Sequence, residues 1–163
     1  MTELPVHEDG IQIFRGVVER MDGLLAQLLA APAFPAADHP AVPTTAGIYL
    51  FASEDEALYV GQTRNLRTRL DNHTNPLSHE NKASFAFSIA KTEAEKAGVD
   101  VKQTRKVLEA DEAFAVRFSQ AKLGVAAMDV RFIELEGEIE RTLFEIYASL
   151  ALNTLVYNSF ETH

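Results

Sequence analysis

Two short apolar runs rich in aromatic residues, Ala46 to Ser53 and Ala57 to Gly61, stand on either side of the polar break Glu54-Asp55-Glu56. Runs of that length across so short a break predict an antiparallel hairpin, with Tyr49 and Tyr59 both on it. Directly after Gly61, Thr63 or Asn65 is placed to cap a helix whose apolar side is Leu66 and Leu70, four residues apart. Arg69 and His73 share that spacing and border the apolar stripe, so they are expected side by side at its rim, lining a groove beside the sheet. Strand, turn, strand and helix thus follow one another within Gly47 to His73, and the rest of the chain is arranged around them.

Upstream, Val17, Met21, Leu24, Leu25, Leu28 and Leu29 recur at helical spacing and predict one amphipathic helix over about Ile13 to Ala31. Pro32, Pro35, Pro40 and Pro43 then forbid a helix and mark Ala31 to Thr45 as a semi-rigid linker. Residues 1–45 are therefore expected to be an add-on to a domain spanning 46–163. Within that domain, Asn75 to about Ala126 reads as a helical insertion: Ser78 caps a helix carrying Phe85 and Ile89, and Gln103 to Lys122 forms another with Val107, Phe114 and Phe118 inward. Lys82, Lys91, Lys102, Arg105 and Lys106 in it read as solvent-facing cations, with phosphate contact as the lesser alternative. Met128 to Leu135 alternates well enough to be a third strand. Gly137 to Leu152 is a helix with Ile139, Leu143, Ile146, Tyr147 and Leu150 on its apolar face and Glu145 opposite the middle of it. The expected fold class is α+β: a small three-stranded antiparallel sheet flanked by helices, with an appended N-terminal helix and a helical insertion.

Composition excludes several classes. A chain of 163 residues, 47% hydrophobic and 24% charged, is that of one ordinary globular domain with decorations. No segment is apolar for long enough to span a bilayer, and the N-terminus lacks the pattern of a secretory signal, which makes the cytoplasm the expected compartment and a membrane partner unexpected. The absence of cysteine removes disulfides, thiolate zinc sites and cysteine nucleophiles. Any metal must rest on carboxylate, histidine or water, which favours magnesium-type chemistry. A net charge of -9 argues against a protein that coats nucleic acid indiscriminately, though it leaves room for a local basic face. Arg64, Arg67 and Arg69 form such a local group, whereas Glu134, Glu136, Glu138, Glu140 and Glu145 crowd a later stretch; the bland reading of both is a solvated helix face.

What changes the weighing is the order of residues: Gly47-Ile48-Tyr49, then Tyr59-Val60-Gly61, then Arg69, then a glutamate on a late helix, then Tyr157-Asn158 near the end. This order resembles the GIY-YIG nuclease superfamily, which includes the incision subunit of bacterial nucleotide excision repair, homing endonucleases of mobile introns and some restriction enzymes. The resemblance covers about Ala46 to His73 and Met128 to Asn158, with valine in place of isoleucine in the second signature. It implies that Arg69 falls where the family's catalytic arginine falls, and that His73 takes a position held in relatives by tyrosine or histidine. Phe144-Glu145 looks like the end of the segment carrying the metal-binding glutamate, and Asn158 like the closing asparagine. Glu140 is the rival ligand, because with Asn153 it gives the same interval. Glu145 is preferred because Tyr157-Asn158 matches the family's close better than Leu152-Asn153.

The activity so implied is metal-dependent endonucleolytic hydrolysis of DNA, with Tyr49, Tyr59, Arg69, His73 and Glu145 catalytic and Glu145 holding Mg2+ or Mn2+. Gln62, Arg64, Arg67 and Asn158 are expected to contact nucleic acid, with a structural role open for Asn158. The chemistry suits the residue types. A single carboxylate holds a magnesium ion that keeps most of its waters, and arginine offers a permanent planar fork to phosphate oxygens. An unperturbed tyrosine with pKa about 10 is a poor base at neutral pH, and a histidine at about 6.5 an easier one. The alternatives are a non-catalytic module binding nucleic acid or protein on the same scaffold, and an RNA-directed nuclease. A protein partner through the N-terminal helix or the insertion is also open, as is the oligomeric state.

Overall fold

The computed structural model describes residues 2–39 and 41–160; Pro40, one of the four linker prolines, and the last three residues of the expected 46–163 domain lie outside the described residues. The predicted hairpin is β2 (Gly47–Ser53) and β3 (Glu56–Thr63), paired antiparallel with Tyr49 opposite Gly61 and Phe51 opposite Tyr59. A register shift after Phe51 accommodates one extra residue of β3 before the turn at Glu54. The strand expected over 128–135 is β4 (Asp129–Glu134), which pairs with the other side of β2.

The sheet has four strands, not three. Phe34–Pro35 forms a two-residue strand, β1, on the outer edge of β4, giving the order β1-β4-β2-β3 with every neighbour antiparallel. Pro35 has no N–H to give, and an edge strand is where a sheet tolerates that. The following residues stay attached: Ala36 N–H and Ala37 N–H donate to the carbonyls of Met128 and Ala126 at 2.8 and 3.1 Å. Four prolines in an alanine background hide such an edge strand, because they read as a spacer. The linker in fact buries Ala36 and Val42, and His39 Nε2 ties it to Asp71 at 2.8 Å.

Strand alternation divides the core in two. Tyr49 and Phe51 face one side, Ile48 and Leu50 the other. On the first side lie α3 (Leu66–Thr74), α4 (Ser84–Lys96), α5 (Arg105–Ala110) and α6 (Glu112–Ala126), which bring Leu66, Leu70, Phe85, Phe87 and Phe118. The helix expected over Gln103 to Lys122 is thus two helices. Asp111 breaks it and caps α6, its carboxylate accepting from Phe114 N–H at 2.9 Å. On α5 Val107, expected inward, is exposed, and Leu108 is buried instead. Ser78 is no helix cap: α4 starts at Ser84, and Ser78 is buried in the preceding turn.

On the second side lie α1 (Glu8–Glu19), α2 (Met21–Ala30) and α7 (Glu138–Ala151). The single helix expected over 13–31 is α1 and α2, joined at Arg20. Appended in sequence, these helices are integral in packing, since Val17, Met21 and Leu28 share one buried cluster with Ile48, Leu50, Val60, Phe144 and Ala148. The buried face of α7 is centred on Arg141, Phe144 and Ala148, so Ile139 and Leu150, expected inward, are 65% and 61% exposed. That rotation brings Glu145 from the expected solvent side to the flank of the packed face. No helix among the described residues is long and apolar enough to cross a membrane.

Candidate active site

Two glycines fix the centre. A Cβ on Gly47 would lie 2.3 Å from the Ile133 carbonyl and 2.8 Å from Leu66, so only glycine lets β2 pass between β4 and α3. A Cβ on Gly61 would lie 2.1 and 2.2 Å from Cζ and Oη of Tyr49. The first tyrosine therefore lies across the backbone of the second signature, and the glycines of both signatures have a steric reason.

Tyr49 is buried, and its hydroxyl is the hub of the site. Arg69 Nε donates to it at 3.1 Å, and His73 Nε2 lies 2.9 Å away. Arginine cannot accept, so the phenol's hydrogen goes to His73 Nε2, and His73 is a neutral acceptor. Burial, reinforced by the Arg69 charge, holds the imidazole well below its usual pKa. Burial likewise pushes the Tyr49 phenol far above its ordinary value, with Tyr59 adding to the rise and Arg69 pulling partly back. His73 is consequently not a rim histidine. It is fully buried among the rings of Tyr49, Phe51 and Tyr59, because the insertion helices cover the face of α3 that four-residue spacing alone leaves open. Its role toward Tyr49 is that of a positioning residue, not of a base in contact with solvent.

That burial has a measurable consequence. The folded state resists protonating His73 while the unfolded chain takes up the proton at about pH 6.5, so the unfolded state binds more protons and stability falls as pH drops below that value. Exchanging His73 for phenylalanine removes this acid sensitivity and leaves the Tyr49 hydroxyl without an acceptor, at a cost of about 1–3 kcal/mol at neutral pH. Denaturant titrations of wild type and His73→Phe at pH 5 and 7.5 read both effects.

Arg69 is held by more than its own helix. Asn65 caps α3, accepting from Thr68 N–H at 3.0 Å, which sets the helix and hence the arginine. Nη1 donates to the Lys82 carbonyl at 3.1 Å and Nη2 to Ser84 Oγ at 2.7 Å. The insertion, expected to contribute only packing, thus clamps the guanidinium, and its Phe85 stacks on Tyr59 at 4.6 Å between ring centroids. No spacing in the sequence ties Ser84 or Phe85 to Arg69. Burial works against the Arg69 charge, and the phenols of Tyr49 and Tyr59 outweigh it, so the pKa is raised and the charge permanent. Three of the five N–H groups are engaged, and two remain for a ligand.

Glu145 approaches from α7. Its Oε2 accepts from Gln62 Nε2 at 3.0 Å, and burial raises its pKa while Gln62 and then Arg69 oppose the rise. No hydrogen bond engages Oε1 among the described residues. The rival Glu140 is committed elsewhere, paired with Arg20 at 2.6 Å. Glu145 is thus the carboxylate that shares a site with Arg69 and the tyrosines, and its free oxygen fits a cation that keeps most of its waters. The cluster of His79, Glu80 and Glu109 has ligand-like spacing but lies on the insertion surface, where His79 and Glu109 pair at 2.9 Å.

The residues expected on nucleic acid divide. Gln62 positions Glu145. Arg64 forms an exposed ion pair with Glu138 at 3.2 Å, and Arg67 donates from Nε to the Val42 carbonyl at 2.8 Å. Asn158 is buried. Its Oδ1 accepts from Val60 N–H at 3.1 Å and from Thr154 Oγ1 at 2.8 Å, and its Nδ2 donates to the Val60 carbonyl at 2.6 Å. It therefore satisfies the outward backbone groups of the edge strand β3, the structural arm of the expectation.

Gln62 makes a second prediction. Replacing it by leucine removes the hydrogen bond that opposes the rise in the Glu145 pKa. Activity that needs the ionised carboxylate appears as pH rises through that pKa, so the acid limb of a pH–rate profile moves to higher pH in Gln62→Leu.

The model of the GIY-YIG catalytic domain matches residues 45–110, which span β2, β3 and α3 with Tyr49, Tyr59, Arg69 and His73, and continue through α4 and α5. Glu145 and Asn158 lie beyond that match. Searches of curated proteins and of solved structures gave no match. With both signatures on adjacent strands, the arginine on the following helix and a small open antiparallel sheet flanked by helices, the fold agrees with that match, and residues 45–110 are similar to the GIY-YIG catalytic domain.

Proposed function

We propose that the protein is a metal-dependent endonuclease that hydrolyses phosphodiester bonds of DNA. The observation that carries this reading is that Glu145, from a helix beyond the family match, is held by Gln62 of β3 at 3.0 Å, near enough to Arg69 for the two charges to act on each other. A scissile phosphate lies against the two free N–H groups of Arg69, which neutralise charge growing on its non-bridging oxygens. The three engaged groups hold the guanidinium plane still while that happens. Tyr49 keeps its proton, shared with His73, and orients Arg69. The partial exposure of Tyr59, against the burial of Tyr49, supports its being the tyrosine that touches the attacking water. Glu145, oriented by Gln62, holds Mg2+ or Mn2+ through its free oxygen. When bound, such an ion lowers the pKa of a water and offsets phosphate charge.

Plasmid nicking tests the proposal. With magnesium the wild type converts supercoiled DNA to nicked and linear forms, chelator abolishes this, and Arg69→Ala and Glu145→Ala are inactive. Unchanged cleavage in both variants sinks the mechanism, and no cleavage by wild type sinks the activity.

A further inference from the structure

A net charge of -9 leaves the chain short of the cations a nuclease needs to hold a substrate. Arg69 gives three of its five N–H groups to its own scaffold, Arg64 is ion-paired and Arg67 is drawn to the linker. The cations of the insertion, scattered in sequence, are brought together by the fold. A cleft of about 660 Å3 opens between α4, the loop before α5 and the C-terminal tail, and it is lined by Ser88, Lys91, Thr92, Gln103 and Arg105, with Glu95 the acid among its lining residues. Lys91 and Arg105 are in no ion pair among the described residues. Lys91 and Gln103 donate no side-chain hydrogen bond there, and Arg105 spends one N–H on the Glu80 carbonyl at 3.2 Å while its guanidinium lies 4.9 Å from the Phe87 ring centre. The hydroxyls of Ser88 and Thr92 donate back to α4 carbonyls, at 3.0 and 2.9 Å, and so leave oxygens that only accept.

The cleft and the active centre lie along one helix. Ser84, the first residue of α4, holds Arg69, and Phe85 stacks on Tyr59. Ser88 follows one turn later and Lys91 about two turns from Ser84, roughly 10 Å along the axis. Tyr157 packs its ring against Phe85 at 5.5 Å and lines the cleft as well. A strand leaving the Arg69 phosphate along α4 has within reach the ammonium of Lys91 and, from α5, the guanidinium of Arg105.

We propose that this cleft holds the phosphodiester backbone flanking the cut bond, with Lys91 and Arg105 as its phosphate contacts and Gln103 as a neutral donor between them. The proposal rests on the nuclease reading above and adds to it the surface by which an acidic protein retains its substrate. Its occupant is a nucleic-acid strand and not an acidic peptide, because the helix that lines the cleft is the one whose first residue holds Arg69.

Anisotropy titrations of a fluorescent single-stranded DNA oligonucleotide, in chelator so that nothing is cut, test it over a range of salt. Lys91→Ala and Arg105→Ala each weaken binding several-fold at moderate salt and reduce the slope of log K against log salt by about one. Lys96→Ala, which removes an exposed cation at the far end of α4, changes neither. Lys91 is exposed and makes no side-chain hydrogen bond, so its variant reports on the ligand and not on folding. Wild-type affinity and slope in both cleft variants, or tighter binding of a polyglutamate peptide than of DNA, overturns the inference. If the wild type still nicks plasmid in that case, the nuclease reading survives it. A wild type that binds no nucleic acid overturns both.

Discussion

Exchanging Arg69 for lysine lowers kcat by about 10²–10³-fold, the usual cost of removing one fixed donor from a developing oxyanion, while KM changes little. Charge is kept, so the loss measures geometry. Arginine meets Tyr49 Oη through Nε, the Lys82 carbonyl through Nη1 and Ser84 Oγ through Nη2, and it still presents two N–H groups in one plane. Lysine has three donors on one atom and cannot reach three fixed acceptors while addressing a phosphate. The fold survives the exchange, because the Tyr49 hydroxyl keeps its bond to His73. Steady-state cleavage beside a thermal melt separates the two quantities. A lysine variant with more than a tenth of wild-type kcat contradicts the role given to the clamp.

Alanine at Gly61 has the second large effect, and its origin is steric. One methyl group would stand about 2 Å from the tip of the Tyr49 ring, inside any permissible contact. The ring is enclosed by Phe51, Tyr59 and His73, so it has no free space to move into. Overpacking of this kind costs about 1–3 kcal/mol. The displaced hydroxyl also drags Arg69 from its position, and a shift near 1 Å at a catalytic group costs about 10²-fold in rate. Gly61→Ala therefore melts lower than wild type and cleaves at least 10²-fold more slowly, whereas the double variant Gly61→Ala with Tyr49→Leu, which removes the ring atoms that the methyl meets, relieves the clash and regains none of the activity.

What the sequence made legible was whatever is local. The hairpin follows from two apolar runs and a turn, the helix after it from an asparagine cap, and the placement of Arg69 from counting along that helix. Gly47 and Gly61 were legible as signature positions, though not as clearances for Leu66 and Tyr49. What spacing could not show is contact across distance in the chain. The burial of His73 depends on helices that begin after residue 80. The clamp on Arg69 depends on Ser84, a serine with no pattern around it. The fourth strand was hidden because prolines suppress the signal of an edge strand without forbidding one. The apolar face of α7 was misplaced because Ile139 and Leu150 are more hydrophobic than Ala148 and Ser149, while packing against β2 and β3 favours the smaller pair. The same rotation brings Glu145 to Gln62, so an error in the fold and the strength of the site have one cause.

Everything proposed for the site converges on Glu145, the one catalytic carboxylate and the group furthest in sequence from the two tyrosines. Its isosteric replacement by glutamine keeps the shape of α7 and the neighbourhood of Gln62 while removing the charge. The direct measurement is magnesium-dependent cleavage of labelled single-stranded, nicked and branched DNA by wild type beside Glu145→Gln, with melting curves and DNA affinity measured for both proteins. The account predicts cleavage of at least one of these substrates by wild type, none by the variant, and unchanged melting and affinity in chelator. Cleavage by Glu145→Gln at the wild-type rate, or no cleavage of any substrate by a folded, DNA-binding wild type, contradicts it.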